Sequence, residues 1–69
     1  MDIILASKKS IDIDGISFVD SVKKMHNWYY FIIFYKNGES IQLSYYSEAG
    51  AKRDRDQILM KLNPIEKFL

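Results

Sequence analysis

The chain has no cysteine, one histidine, one proline and a net charge of only +1 across its 69 residues. Without thiols it forms no disulfide and no thiolate metal site, and a single imidazole, His26, cannot build a zinc cluster. No metal and no cofactor are therefore expected. The near balance of charge projects no long-range field, whereas a nucleic-acid module more often carries a strong basic excess. The apolar run Ile3 to Ala6 is too short for a membrane span or a signal peptide. These absences lead to the expectation of a soluble, cytoplasmic protein with no membrane partner.

Length adds a constraint. A chain of this size buries only about 60% of the surface its unfolded form exposes, and small domains usually add disulfides, a metal or self-association. With the first two removed by composition, a homo-oligomer, dimer or higher, is the expected remedy. Hydrophobic residues make up 48% of the chain and aromatics 14%, which is too apolar for intrinsic disorder. One domain spanning residues 1–69 is expected, without linkers or repeats.

The most informative segment is Trp28 to Tyr35, eight apolar or aromatic residues in succession. Successive side chains of a strand point to opposite faces, so this segment is apolar on both sides of its sheet. A sheet with one solvated face alternates apolar and polar instead. Asn37-Gly38 follows, flanked by a second strand-like run, and predicts a two-residue type I′ hairpin loop. That loop pairs Tyr35 with Ser40, Phe34 with Ile41, Ile32 with Leu43 and Tyr30 with Tyr45. Trp28, Tyr30, Ile32 and Phe34 then join Ile41, Leu43 and Tyr45 on the core face. The opposite face carries Tyr29, Phe31, Ile33, Tyr35 and Tyr46 beside Ser40, Gln42 and Ser44.

Further strands are expected at about 2–6, 16–24, 28–36 and 39–46. The 16–24 segment alternates imperfectly at Asp20, which suggests a bulge there. Ser47 fits a helix N-cap with Glu48 in the first turn, and the periodicity predicts a helix over about 48–62. Its apolar stripe would be Ala51, Arg55, Ile58, Leu59 and Leu62, with Lys52, Arg53, Asp56, Gln57 and Lys61 outside. Asn63-Pro64 would stop it, and Ile65, Phe68 and Leu69 would extend its apolar contact. Strands followed by one helix indicate α+β: an antiparallel β-meander of about four strands with a C-terminal α-helix on one face. The order of elements, with Tyr45-Tyr46-Ser47-Glu48 leading to Asp54-Arg55-Asp56, resembles the closing portion of pleckstrin-homology-like folds. It is also similar to small β-meander-plus-helix proteins of bacteria and their phages. The resemblance implies a fold and carries no functional residue.

Candidate chemistry is sparse. Asp12-Ile13-Asp14-Gly15 resembles the opening of a calcium loop, but Lys23 stands where that loop needs its closing acid. A plain turn is the better reading. His26 has no orienting acid or nucleophile at suitable spacing, and no enzyme is expected. Arg53-Asp54-Arg55-Asp56 reads as a solvated face with local pairs, except that Arg55 falls on the apolar stripe. Lys23, Lys24 and Arg55 are the candidate ligand-binding residues, since cations beside aromatics would hold a nucleotide or a single strand. No nucleic-acid motif supports that alternative. The leading expectation is a non-enzymatic interaction protein that self-associates through Tyr29, Phe31, Ile33, Tyr35 and Tyr46 and binds or inhibits a protein partner. The resemblance and the small size, rather than any chemistry, imply a bacterial or phage accessory factor, for example an inhibitor of a host or defence enzyme. Buried together, aromatics of about 150–250 Å² each approach the roughly 800 Å² that one partner gives to a standard interface.

Overall fold

A computed structural model describes residues 1–62 of the chain; the expected helix stop at Asn63-Pro64 and the contacts of Ile65, Phe68 and Leu69 lie outside the described residues. The elements run β1 (Asp2–Ile4), β2 (Ser10–Asp12), β3 (Ile16–Val19), β4 (Lys23–Met25), β5 (Trp28–Tyr35), β6 (Ser40–Tyr45) and α1 (Glu48–Leu62). The architecture is α+β, with antiparallel strands followed by one C-terminal helix.

β5 is the spine of the main sheet. β6 pairs along one side of it, while β3 and β4 pair with its two ends on the other side. The expected 16–24 strand is broken at Asp20–Val22. Val19 stands opposite Ile33 and Lys23 opposite Tyr30, so four steps on one strand face three on the other. The extra residue falls where the alternation fails at Asp20, and a second bulge lies between Ile16 and Phe18. A separate two-stranded ribbon, β1–β2, holds Ile3 opposite Ile11.

Both main loops close in the same way. Tyr35 C=O accepts from Gly38 N–H at 3.0 Å, and Tyr35 N–H donates to Glu39 C=O at 2.8 Å. Between β1 and β2, Leu5 C=O accepts from Lys8 N–H at 2.8 Å and Leu5 N–H donates to Lys9 C=O at 2.8 Å. Each is a three-residue loop, a tight turn followed by one left-handed residue that forms a bulge. Gly38 takes that position at φ 92° and Lys8 at φ 76°.

The extra loop residue corrects the expected hairpin register. A type I′ turn needs positive φ at both central residues, and Asn37 does not adopt it, whereas Gly38 does. Phe34 therefore pairs with Ser40, Ile33 with Ile41, Phe31 with Leu43 and Tyr29 with Tyr45. A slip of one residue exchanges the two faces of a strand. Phe31 and Ile33 are completely buried, and Tyr29 and Tyr35 are half-buried against the same core. Four of the five residues assigned to an outward interface thus lie beneath their own chain. Tyr46 alone stays exposed, at 94%.

What covers Phe31 and Ile33 is α1 together with the β1–β2 ribbon. Ala51 and Ile58 of the helix and Leu5, Ile11 and Ile13 of the ribbon are buried in one cluster with them. Burying each large aliphatic or aromatic side chain contributes about 1.5–3 kcal/mol. Ser47 caps α1 by accepting the Gly50 N–H at 3.0 Å, which satisfies a donor that the first turn leaves free. Gln57, expected outside, is half-buried and ties helix to ribbon. Its Oε1 accepts from Ala6 N–H at 2.9 Å and its Nε2 donates to Ile4 C=O at 3.1 Å.

Asp54 is the fully buried charged residue of this layer. Its Oδ2 accepts from the Tyr45 hydroxyl at 2.8 Å and from the Ser7 hydroxyl, and Oδ1 has no partner among the described residues. One carboxylate thereby joins helix, sheet and ribbon. Burial, and then the hydrogen bond to Asp54, hold the Tyr45 hydroxyl protonated well above the ordinary tyrosine pKa.

Candidate protein-interaction face

The register that buries odd-numbered residues of β5 turns the even-numbered ones outward. Trp28, Tyr30, Ile32 and Phe34 form a stripe along the spine. β3 adds Phe18 opposite Phe34, and β4 adds Met25 opposite Trp28. Phe18 is 56% exposed, Met25 45%, Trp28 40% and Phe34 38%. The Phe18 and Phe34 rings stack with centroids 6.0 Å apart, so one end of the stripe is pre-packed. On the β6 side the same face carries Ser40, Gln42 and Ser44.

At about 200 Å² for a large side chain, these exposures leave on the order of 400 Å² of apolar surface. That is the scale of the largest patch on a typical monomer, which is often functional. It is about half of one partner's share of a standard interface. α1 and the β1–β2 ribbon pack on the other side of the sheet, and no described element covers this one.

Two of the basic residues expected to hold a ligand, Lys23 and Arg55, meet at Asp20, which engages both. Lys23 pairs with Asp20 at 2.9 Å. Hydrogen bonding to Asp20 raises the Lys23 pKa, and that bond, with the Ser21 N–H, lowers the Asp20 pKa. Lys24 lies over the Tyr29 ring at 5.8 Å, and Lys9 over Tyr45 at 4.7 Å. Arg55 is committed to the fold: its guanidinium donates to Asp20 C=O at 2.6 Å and to Val19 C=O at 3.4 Å. It caps carbonyls beside the break between β3 and β4. His26 is an exposed turn residue at φ 55°.

A cleft of about 430 Å³ lies by the Asn37 loop, lined by Asp12, Asp14, Tyr35 and Glu39 among others. Lys36 lines it too, and the Asp12 and Asp14 carboxylates pair with the N-terminal ammonium. Asp14 N–H donates to Asp12 Oδ1 at 3.0 Å and Gly15 takes φ 83°, so Asp12–Gly15 is a turn. Among the described residues no group of three His, Asp or Glu side chains could hold a metal ion. Nor is any described helix long and apolar enough to cross a membrane.

No protein-family model matches the chain, and comparison with curated proteins and with solved structures finds no match. The outer-face residues were missed because both faces of β5 are apolar, so composition could not say which faces out. The signal lay in the loop, where one residue more or less decides the face. Asp54 had a clearer signal, since it follows Ala51 by three positions and precedes Ile58 by four, inside the buried stripe.

Proposed function

We propose that the protein is a non-enzymatic interaction module that binds a protein surface through the outer face of its sheet. Phe18, Met25, Trp28 and Phe34 are the contact residues. The observation that carries this reading is the exposure of four large apolar side chains on one side of a four-stranded sheet. A flat aromatic surface with small polar neighbours has the composition of a protein contact rather than of a ligand pocket. The engagement of Lys23 with Asp20 and of Arg55 with backbone carbonyls supports a protein partner over a nucleotide. An accessory role in a bacterium or phage, including inhibition of a host enzyme, belongs to the same proposal.

Site-specific photo-crosslinking in cells tests it. A photoreactive phenylalanine at position 34 is expected to give one or a few discrete protein adducts, while the same group at Lys52, on the exposed side of α1, gives none. Equal adducts from both positions, or none from position 34, would remove the reading.

A further inference from the structure

The main sheet ends on β6, and that edge has an unusual composition. Ser40-Ile41-Gln42-Leu43-Ser44 is chemically palindromic about Gln42: serine ends, isomeric leucine and isoleucine within, glutamine at the centre. Natural edge strands are normally blunted by lysine, proline or a bulge. β6 has none of these and no charged residue.

The hydrogen-bond phase of the edge follows from the loop. Tyr35 N–H donates to Glu39 C=O, and bonded pairs alternate with unbonded ones along an antiparallel ladder. Ile33–Ile41, Phe31–Leu43 and Tyr29–Tyr45 are therefore the bonded pairs. On the far side of β5, Ile32 C=O accepts from Asp20 N–H at 2.9 Å, consistent with that phase. The N–H and C=O groups of Ser40, Gln42 and Ser44 thus point away from β5. They have no backbone partner among the described residues, and Ser40 and Gln42 are exposed.

We propose that a second copy of this chain occupies the edge, with β6 pairing antiparallel to β6 of the other copy about a two-fold axis at Gln42. Gln42 then faces its own equivalent, Ser40 faces Ser44 of the second copy, and Ile41 faces its Leu43. Each outward pair exchanges both of its backbone hydrogen bonds, because the groups that point out are the ones this register requires. The side-chain pairs are like with like: hydroxyl with hydroxyl, amide with amide, aliphatic with aliphatic. Glu39, the nearest charge, falls opposite Tyr45 of the second copy rather than opposite its own equivalent. A closed two-fold contact of this kind stops at two chains.

The dimer also gives the outer face its missing area. Both aromatic stripes lie on one side of the joined sheet, three strand spacings or about 14 Å apart, separated by the Ser and Gln side chains of the seam. Together they present roughly 800 Å² of apolar surface, one partner's share of a standard interface. This use of the joined face rests on the proposed function above; the seam itself rests on β6 alone.

Sedimentation equilibrium over a concentration series, with amide hydrogen exchange, tests the seam. The wild type is expected to be a dimer. Gln42→Lys, which sets like charges opposite one another, raises the dissociation constant by about tenfold or more. Gln42→Pro does the same by deleting an outward N–H that β5 does not use. Phe34→Ser leaves the dimer intact. In the wild type the amides of Ser40, Gln42 and Ser44 gain protection with concentration, a readout that needs no variant to fold. A wild type monomeric at about 1 mM, or a dimer insensitive to both Gln42 variants, overturns the seam. Crosslinks from position 34 judge the outer face separately, so failure of the seam and failure of the face are distinct results.

Discussion

Tyr45→Phe removes one hydroxyl from the buried junction of ribbon, sheet and helix and leaves the rest of the side chain in place. The ring keeps its stack on Phe31, with centroids 5.8 Å apart, and its contact with Lys9. What is lost is the 2.8 Å hydrogen bond to Asp54, an acceptor whose second oxygen already lacks a partner among the described residues. A hydrogen bond to a charged group contributes about 1.5–3 kcal/mol, and in a domain this small that lowers Tm by on the order of 10 °C. Urea unfolding followed by circular dichroism measures the loss. The triple variant Ser7→Ala/Tyr45→Phe/Asp54→Val is expected to recover most of it, because replacing a buried polar set with apolar groups is often neutral. A second signature appears in alkali. The Tyr45 pKa in the folded chain lies above the ordinary tyrosine value of 10.0, so the unfolded chain releases that proton first. The contribution is fully present below about pH 10 and is lost as pH rises through the folded value. Tyr35, raised by burial and then by the charges of Asp12, Asp2 and Glu39, acts in the same direction. Tyr45→Phe therefore flattens the alkaline fall in stability without abolishing it. A Tyr45→Phe protein as stable as the wild type, with an unchanged alkaline slope, would show that Asp54 does not depend on this donor.

The two matched loops make a paired prediction. Lys8→Gly relieves a left-handed lysine and should stabilise by about 0.5–1 kcal/mol, while Gly38→Ala should cost about 1 kcal/mol; denaturant midpoints read both. Arg55→Leu leaves the Val19 and Asp20 carbonyls without their donor and should destabilise by roughly 1–2 kcal/mol, with amide exchange accelerated first in β3 and β4. A uniform change across the sheet would place Arg55 elsewhere.

The helix was legible in the sequence because its signals are local. Ser47 caps it as expected, and the helix starts at Glu48 as expected and continues to Leu62, the last of the described residues. The hairpin was legible as well, but its register was not. Asn-Gly is compatible with two loops that differ by one residue, and only the left-handed conformation of Gly38 without Asn37 distinguishes them. In most hairpins the apolar pattern would settle the matter, since one register exposes the core. Here Trp28 to Tyr35 is apolar at every position, and either register buries large side chains. The choice was made by elements distant in sequence: Leu5, Ile11 and Ile13 from one end and Ala51 and Ile58 from the other. The irregularity at Asp20 was legible in the failed alternation, but that Arg55, 35 residues later in the chain, caps the Val19 and Asp20 carbonyls there was not, because it depends on how the helix packs on the sheet.

The account depends on Ile33 lying inside and Phe34 outside. Because the chain has no cysteine of its own, a single introduced thiol reports one position. Ile33→Cys and Phe34→Cys, labelled with an aromatic disulfide reagent under native conditions, measure both faces of β5. The thiol at position 34 should react at close to its unfolded rate, and the one at position 33 about 100-fold or more slowly. Equal rates, or faster reaction at position 33, would contradict the register and the outer face with it.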